Sequence, residues 1–115
     1  MIIITIEIDV PFEKNKEFIQ TLLVILERIR MESACISCDF LKDLVVENRY
    51  RLIGKWEKES DLHNHLESKE FSVLRGAMSL IKNKPEISVY LVASSKGLDN
   101  LHRESTQQKT NNLRI

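Results

Sequence analysis

The sequence is poor in the residues that break or cross-link a chain: three glycines, two prolines and two cysteines among 115 residues. So few glycines leave no G-x-G-x-x-G fingerprint or other phosphate-cradling loop, and no cofactor motif of that kind. Two cysteines cannot build a disulfide framework. They could not complete a tetrahedral zinc site without two more ligands, for which His63 and His65 are the only candidates within reach. An excess of charge of either sign is also missing. Seventeen basic residues balance seventeen acidic ones, so no net field draws nucleic acid or an anionic membrane. Long apolar runs are absent as well. The apolar start Met1-Ile2-Ile3-Ile4 is interrupted by Glu7 and Asp9, too soon for a signal-peptide core or a membrane span. The expectation is a single soluble domain in the cytoplasm, without a membrane or nucleic-acid partner.

What is present is periodic. Ile4, Ile6, Ile8 and Val10 alternate with Thr5, Glu7 and Asp9, the period of a strand with one buried face, ended by Pro11. From about Glu13 to Arg30 the spacing changes to three and four, with Phe18, Leu22, Ile25, Leu26 and Ile29 on one stripe. That predicts an amphipathic helix, acidic early and basic late as the helix dipole favours. Cys35 to Leu41 and Tyr50 to Glu57 read as two further strands, the second with Tyr50, Leu52, Gly54 and Trp56 on one side. Between them, Asp43 and Asn48 are the turn residues of a hairpin connection. Its apolar Leu44-Val45-Val46 is a candidate subunit contact if exposed. Ser60 is a plausible N-cap for a short helix carrying Leu62, His65 and Leu66. Ser68 caps another from Lys69 to about Lys82, with Phe71, Leu74, Met78 and Ile81 as its stripe. Pro85 stops it, and Ile87 to Val92 forms a fourth strand. From residue 94 to residue 115 the chain turns polar and reads as a tail outside the domain of residues 1–93.

The Cys35-Ile36-Ser37-Cys38 segment is a lone C-x-x-C on a predicted strand. Residues three apart on a strand face opposite ways, so the two sulfurs should not meet, and no redox or metal role is expected.

The order β-α-β-β-α-β, with the second helix in two pieces, is the ferredoxin-like plan: an α+β fold with a four-stranded antiparallel sheet and helices on one face. The other face should then be polar. Yet the fourth strand is apolar at nearly every position, and the third carries Ile53. An uncovered apolar face is met most simply by the same face of a second subunit, which predicts a homodimer through the open sheet.

The segment Trp56-Glu57-Lys58-Glu59-Ser60-Asp61-Leu62-His63-Asn64-His65-Leu66-Glu67-Ser68-Lys69-Glu70-Phe71 resembles the antibiotic-biosynthesis-monooxygenase family, which has Trp, Leu, His, Ser and Phe at these offsets. Glu17-Phe18 seven residues after Val10, Arg30-x-Glu32-x-x-Cys35, Tyr50-x-Leu52-x-x-x-Trp56 and Pro85-Glu86 extend the likeness over residues 2 to about 92. The resemblance implies a dimeric α/β barrel in which two sheets pack face to face, with a pocket between helices and sheet in each subunit. It also implies one of several activities. Some members oxidise quinols or anthrones with O2, needing neither metal nor flavin; others degrade haem or isomerise small signalling molecules. Relative to the haem-degrading branch, His65 stands near the place of a second Trp, Arg75 near that of the haem-ligating His, and the first strand lacks an Asn, so no haem role is expected. Ala34 and Cys38 stand where the family commonly has Gly and Tyr.

The resulting expectation is a quinol-type monooxygenase without cofactor or metal. In it His65 removes a phenolic or enediol proton, since its pKa near neutrality suits a general base. Trp56, Phe71, Phe40 and Leu62 would line the site for a small aromatic ligand. The plain alternatives are that Trp56 and His65 are packing residues only, that the dimer is a small-ligand-binding or regulatory module, or that it isomerises a small hydroxy-ketone. His63 should face solvent, and His102 carries no argument.

Overall fold

A computed structural model describes residues 1–100; the remainder of the predicted tail, with His102, lies outside the described residues. The elements are β1 (Ile2–Asp9), a 3-10 turn (Phe12–Lys14), α1 (Asn15–Arg30), β2 (Cys35–Lys42), β3 (Arg49–Trp56), α2 (Glu59–Leu66), α3 (Lys69–Ser79) and β4 (Glu86–Leu91). The sheet is antiparallel throughout in the order β2-β3-β1-β4, the ferredoxin-like topology expected from the element order. Among the described residues, no helix is long and apolar enough to cross a membrane.

The core forms where the two periods meet. Ile2, Ile4, Ile6 and Ile8 of β1 and Tyr50, Leu52 and Trp56 of β3 bury one face of the sheet. Phe18, Leu22, Ile25, Leu26 and Ile29 of α1, with Leu74 and Met78 of α3, close over them. Each such side chain contributes about 1.5–3 kcal/mol of burial, which outweighs the modest helix propensity of the β-branched residues in α1.

The hairpin between β2 and β3 is built on the two turn residues read from the sequence. Asp43 accepts from the Val45 and Val46 amides at 2.8 and 2.9 Å, an Asx-type turn. Asn48 takes the left-handed conformation, φ 59°, which asparagine tolerates better than most residues. Its carbonyl receives Val10 N–H at 2.9 Å. Leu44 and Val45 are exposed, as that apolar segment required for a subunit contact.

Three boundaries differ from expectation. The short helix begins at Glu59, with Lys58 and not Ser60 at its N-cap. Asp61 explains the shift, because its carboxylate accepts the Lys58 amide at 3.2 Å and so satisfies a donor at the helix start. α3 ends at Ser79, three residues short of Lys82. Its last turn tightens to three-residue bonds, Leu80 N–H to Ala77 and Ile81 N–H to Met78, which carries Ile81 into the core. Lys14 Nζ caps this end at 2.7 Å from the Leu80 carbonyl, a cation where the helix dipole favours one.

The third difference is in β2. Cys35 stands opposite Trp56 and Cys38 opposite Gly54, with a bulge between Cys35 and Ser37. The extra residue shifts the alternation, so Cys35 and Cys38 share the helix-facing side and do not point to opposite faces. Cys38 is buried and Cys35 packs against the same core.

The open face divides into two zones. Glu7, Asp9, Arg49 and Arg51 form a cross-strand ion network, with Arg49 Nε 2.7 Å from Asp9 and Arg51 Nη2 2.7 Å from Glu7. Arg49 donates to Asp9 and holds its carboxyl below the usual range. Nearer the other end lie Ile3, Ile53 and Tyr90, with Tyr90 paired to Ile3 across the β1–β4 ladder. β4 is exposed along its whole length, Ile87, Val89 and Leu91 of the helix-facing row included. α1 and α2 lie over β2 and β3 and leave that row uncovered.

Candidate functional site

Three of the sequence-predicted residues converge where β3 ends and α2 and α3 meet. Trp56 closes β3 with its ring inside the core. α2 then turns back over the strand end, and its buried positions Leu62 and His65 fall one helical turn apart. Ser68 Oγ accepts the Phe71 amide at 3.1 Å, starting α3 so that Phe71 faces His65. The His65 ring stacks on Trp56 at 4.5 Å between centroids and 27° between planes, and meets Phe71 edge-on at 5.6 Å. The Arg75 guanidinium covers the outer side of Phe71, 5.0 Å from its centroid.

His65 has a polar partner that the sequence reading left without a role. Its Nδ1 lies 3.1 Å from Glu32 Oε2, in the turn between α1 and β2 and 33 residues away in sequence. A carboxylate only accepts, so Nδ1 carries the proton and Nε2 is left as the basic nitrogen. Burial pushes the His65 pKa below the usual histidine value. The Glu32 charge and hydrogen bond, and more weakly Glu70, oppose that shift. His65 is therefore neutral at pH 7 and able to accept a proton, with a carboxylate placed to stabilise the imidazolium once formed. Glu32 stood within the Arg30-x-Glu32-x-x-Cys35 pattern, but nothing in a one-dimensional sequence ties it to His65.

Two cavities share the Trp56–His65 stack. The outer one, about 270 Å³, is lined by Glu32, Ser33, Ala34, Trp56, Asp61, Asn64 and His65. The inner one, about 10 Å³, lies among Ile4, Ile6, Ile29, Cys38, Leu52, Gly54, Trp56, His65 and Phe71. The outer cavity has room for a small ligand, and its lining mixes carboxylate, hydroxyl and amide groups with the aromatic wall.

The other expected residues sit elsewhere. Leu62 is buried in the packing beneath α2 and lines neither cavity. Phe40 lies on β2 opposite Leu52 and stacks on Tyr50 at 5.2 Å; it too lines neither cavity. The strand direction carries Phe40 toward the hairpin end, away from α2. His63 is exposed and pairs with Glu67 one turn on. Burial pushes the Cys38 thiol up to about 12 and raises Cys35 as well, so neither thiol is a ready nucleophile. Among the described residues no three of His, Cys, Asp and Glu are grouped to hold a metal ion.

Comparison with known proteins gives the same architecture. A family model described as antibiotic biosynthesis monooxygenase matches residues 1–76. The uncharacterised protein sll1783 of Synechocystis is 26% identical over 98 residues, covering 84% of this chain and 67% of its own. A crystal structure from Deinococcus radiodurans, of a protein provisionally named an antibiotic biosynthesis monooxygenase, superposes with a TM-score of 0.79 at 18% identity, over 85% of this chain and 98% of that one. A conserved protein of Methanosarcina mazei gives 0.73 at 23% identity, over 77% of this chain and 89% of that one. At such identities the superpositions establish the fold alone.

Proposed function

The chain belongs to the antibiotic biosynthesis monooxygenase family, and from that premise we propose that it is a cofactor-independent monooxygenase oxidising a small quinol-type or other electron-rich aromatic with O2. The observation that carries this reading is the His65 imidazole, held neutral by burial, hydrogen-bonded through Nδ1 to Glu32 and stacked on Trp56 beside a 270 Å³ cavity.

The chemistry follows from that arrangement. A phenolic substrate lies in the outer cavity against the Trp56–His65 wall, and His65 takes the phenolic proton at Nε2. Glu32 stabilises the resulting imidazolium. The phenolate, held against the Trp56–His65 wall, is more electron-rich than the phenol and gives one electron to O2. The radical pair couples to form a carbon–oxygen bond, and the peroxide takes a proton from His65. The O–O bond then breaks as the same carbon loses its hydrogen as a proton, giving a carbonyl in the product and one water. One oxygen atom of O2 is thus incorporated and the other reduced to water. Proton transfer of this kind contributes about 10²–10⁴-fold to rate.

Members of the family are generally dimeric, and the exposed Tyr90 and partly buried Ile53 fit a homodimer joined through the open sheet face.

Oxygen-electrode measurements with a panel of hydroquinones, naphthols and anthrones test the proposal. Uptake by the wild type that falls at least about 100-fold in His65→Ala supports it. Absence of uptake with every substrate removes it, and leaves a ligand-binding or isomerase role for the same cavity.

A further inference from the structure

The outer cavity of about 270 Å³ carries charge of one sign. Two carboxylates line it, Glu32 from the turn before β2 and Asp61 from the first turn of α2. Among the described residues no lysine or arginine lines it. The one basic side chain there is His65, which burial holds neutral and whose Nδ1 proton is already given to Glu32. A helix start ordinarily favours an anion. At the start of α2 that place is taken by Asp61 itself, whose carboxylate accepts the Lys58 amide at 3.2 Å. Lys58 is exposed and outside the lining. Asp61 stands one helical turn before His65, so the two side chains share a face of α2, with Cβ atoms about 5–6 Å apart.

We propose that the outer cavity selects its substrate by charge: it takes neutral dihydroxyaromatics and turns away those that carry a carboxylate, with Asp61 and Glu32 as the specificity-determining residues. The inference rests on the oxygenase reading, in which the reacting ring lies in this cavity, and it narrows the substrate class. A neutral phenol brings no charge to the cavity, and moving its proton to His65 leaves the total charge of cavity and substrate unchanged. A carboxylate on the ring would add a third negative charge beside Glu32 and Asp61, with no lysine or arginine in the lining to offset it. Like charges placed together in this way disfavour the wrong ligand more than any contact favours the right one. The lining also asks for a donor, because a carboxylate only accepts. A ring that gives its phenolic proton to His65 can present a second hydroxyl to Asp61 on the same helix face.

Trp56 is the only tryptophan in the chain and lines the cavity, so quenching of its fluorescence under nitrogen reads binding without turnover. The probes are a hydroquinone bearing a ring carboxylate and the methyl ester of the same compound, which share a ring and differ in charge. In the wild type the ester should bind with a Kd at least about tenfold below that of the acid. Asp61→Asn removes a charge and keeps an acceptor at the helix start, and Glu32→Gln removes the other charge; each should bring that ratio down. Asn64→Lys, at an exposed lining position of α2, adds a cation without touching the helix start and should turn the preference toward the acid. It also covers the case in which Asp61→Asn fails to fold. Equal Kd values in the wild type, or quenching by neither probe, overturn the proposal. A ratio unchanged in the folded variants overturns the assignment to these residues. The two readings separate cleanly. Preferred binding of the ester without O2 uptake supports the charge selection and removes the oxygenase; uptake with equal Kd values does the reverse.

Discussion

His65 Nδ1 and Glu32 Oε2 meet at 3.1 Å across 33 residues of sequence, joining α2 to the turn before β2. This contact fixes which imidazole nitrogen is free, and it sets the sense of the protein's response to pH. Burial lowers the folded-state pKa of His65 below 6.5 and Glu32 partly restores it. The unfolded chain therefore binds the proton more readily than the folded one. The contribution of neutral His65 to stability is fully present above pH 6.5 and declines as pH falls below it, levelling off once the folded pKa is passed. Thermal unfolding should show a midpoint that drops between pH 7 and pH 5, with a shallower drop in His65→Gln. In Glu32→Gln, NMR titration of the His65 ring should give a lower pKa than in the wild type. An unchanged value would mean that the Glu32 contact is not made in solution.

The bulge in β2 places both thiols on the core side, and burial raises both pKa values, that of Cys38 to about 12. At pH 8 the native protein should react with Ellman's reagent far more slowly than the same protein in denaturant, where both thiols return to about 8.5. Cys38 should be the slower of the two, as Cys35→Ser and Cys38→Ser variants would show. Fast native labelling of Cys38 would contradict its place in the core.

Ser68 starts the helix that carries Phe71 to His65. Ser68→Ala should cost about 1 kcal/mol in urea unfolding. Ser68→Asp, which keeps an acceptor at the N-cap, should cost less. Equal losses in the two variants would assign the effect to something other than the cap.

Ile53 lies on the open face of the central strand β3. If that face joins two subunits, sedimentation of the wild type at micromolar concentration should give twice the 13.4 kDa chain mass. Ile53→Asp should then shift the protein to the monomer by burying an unpaired charge in the interface. A wild type that sediments as a monomer would rule out pairing through the sheet.

The sequence alone determined the elements and their plan, because periods of two and about 3.6 are set by local geometry and by which face is apolar. β1, α1 and β3 carry those periods without interruption. Asp43, Asn48 and Ser68 announced their turns and cap through side-chain chemistry that acts within three residues. The boundaries that went astray depended on competition. Asp61 accepted the Lys58 amide and so started the helix ahead of Ser60, and the last turn of α3 tightened to three-residue bonds with Ile81 in the core. Tertiary structure decided the site. Trp56, His65 and Phe71 lie close enough in sequence for their grouping to be anticipated, but the Glu32 contact, the displacement of Phe40 toward the hairpin and the common face of Cys35 and Cys38 were not. Each depends on how distant segments register against one another, and one bulged residue in β2 is enough to turn a whole row of side chains to the other face.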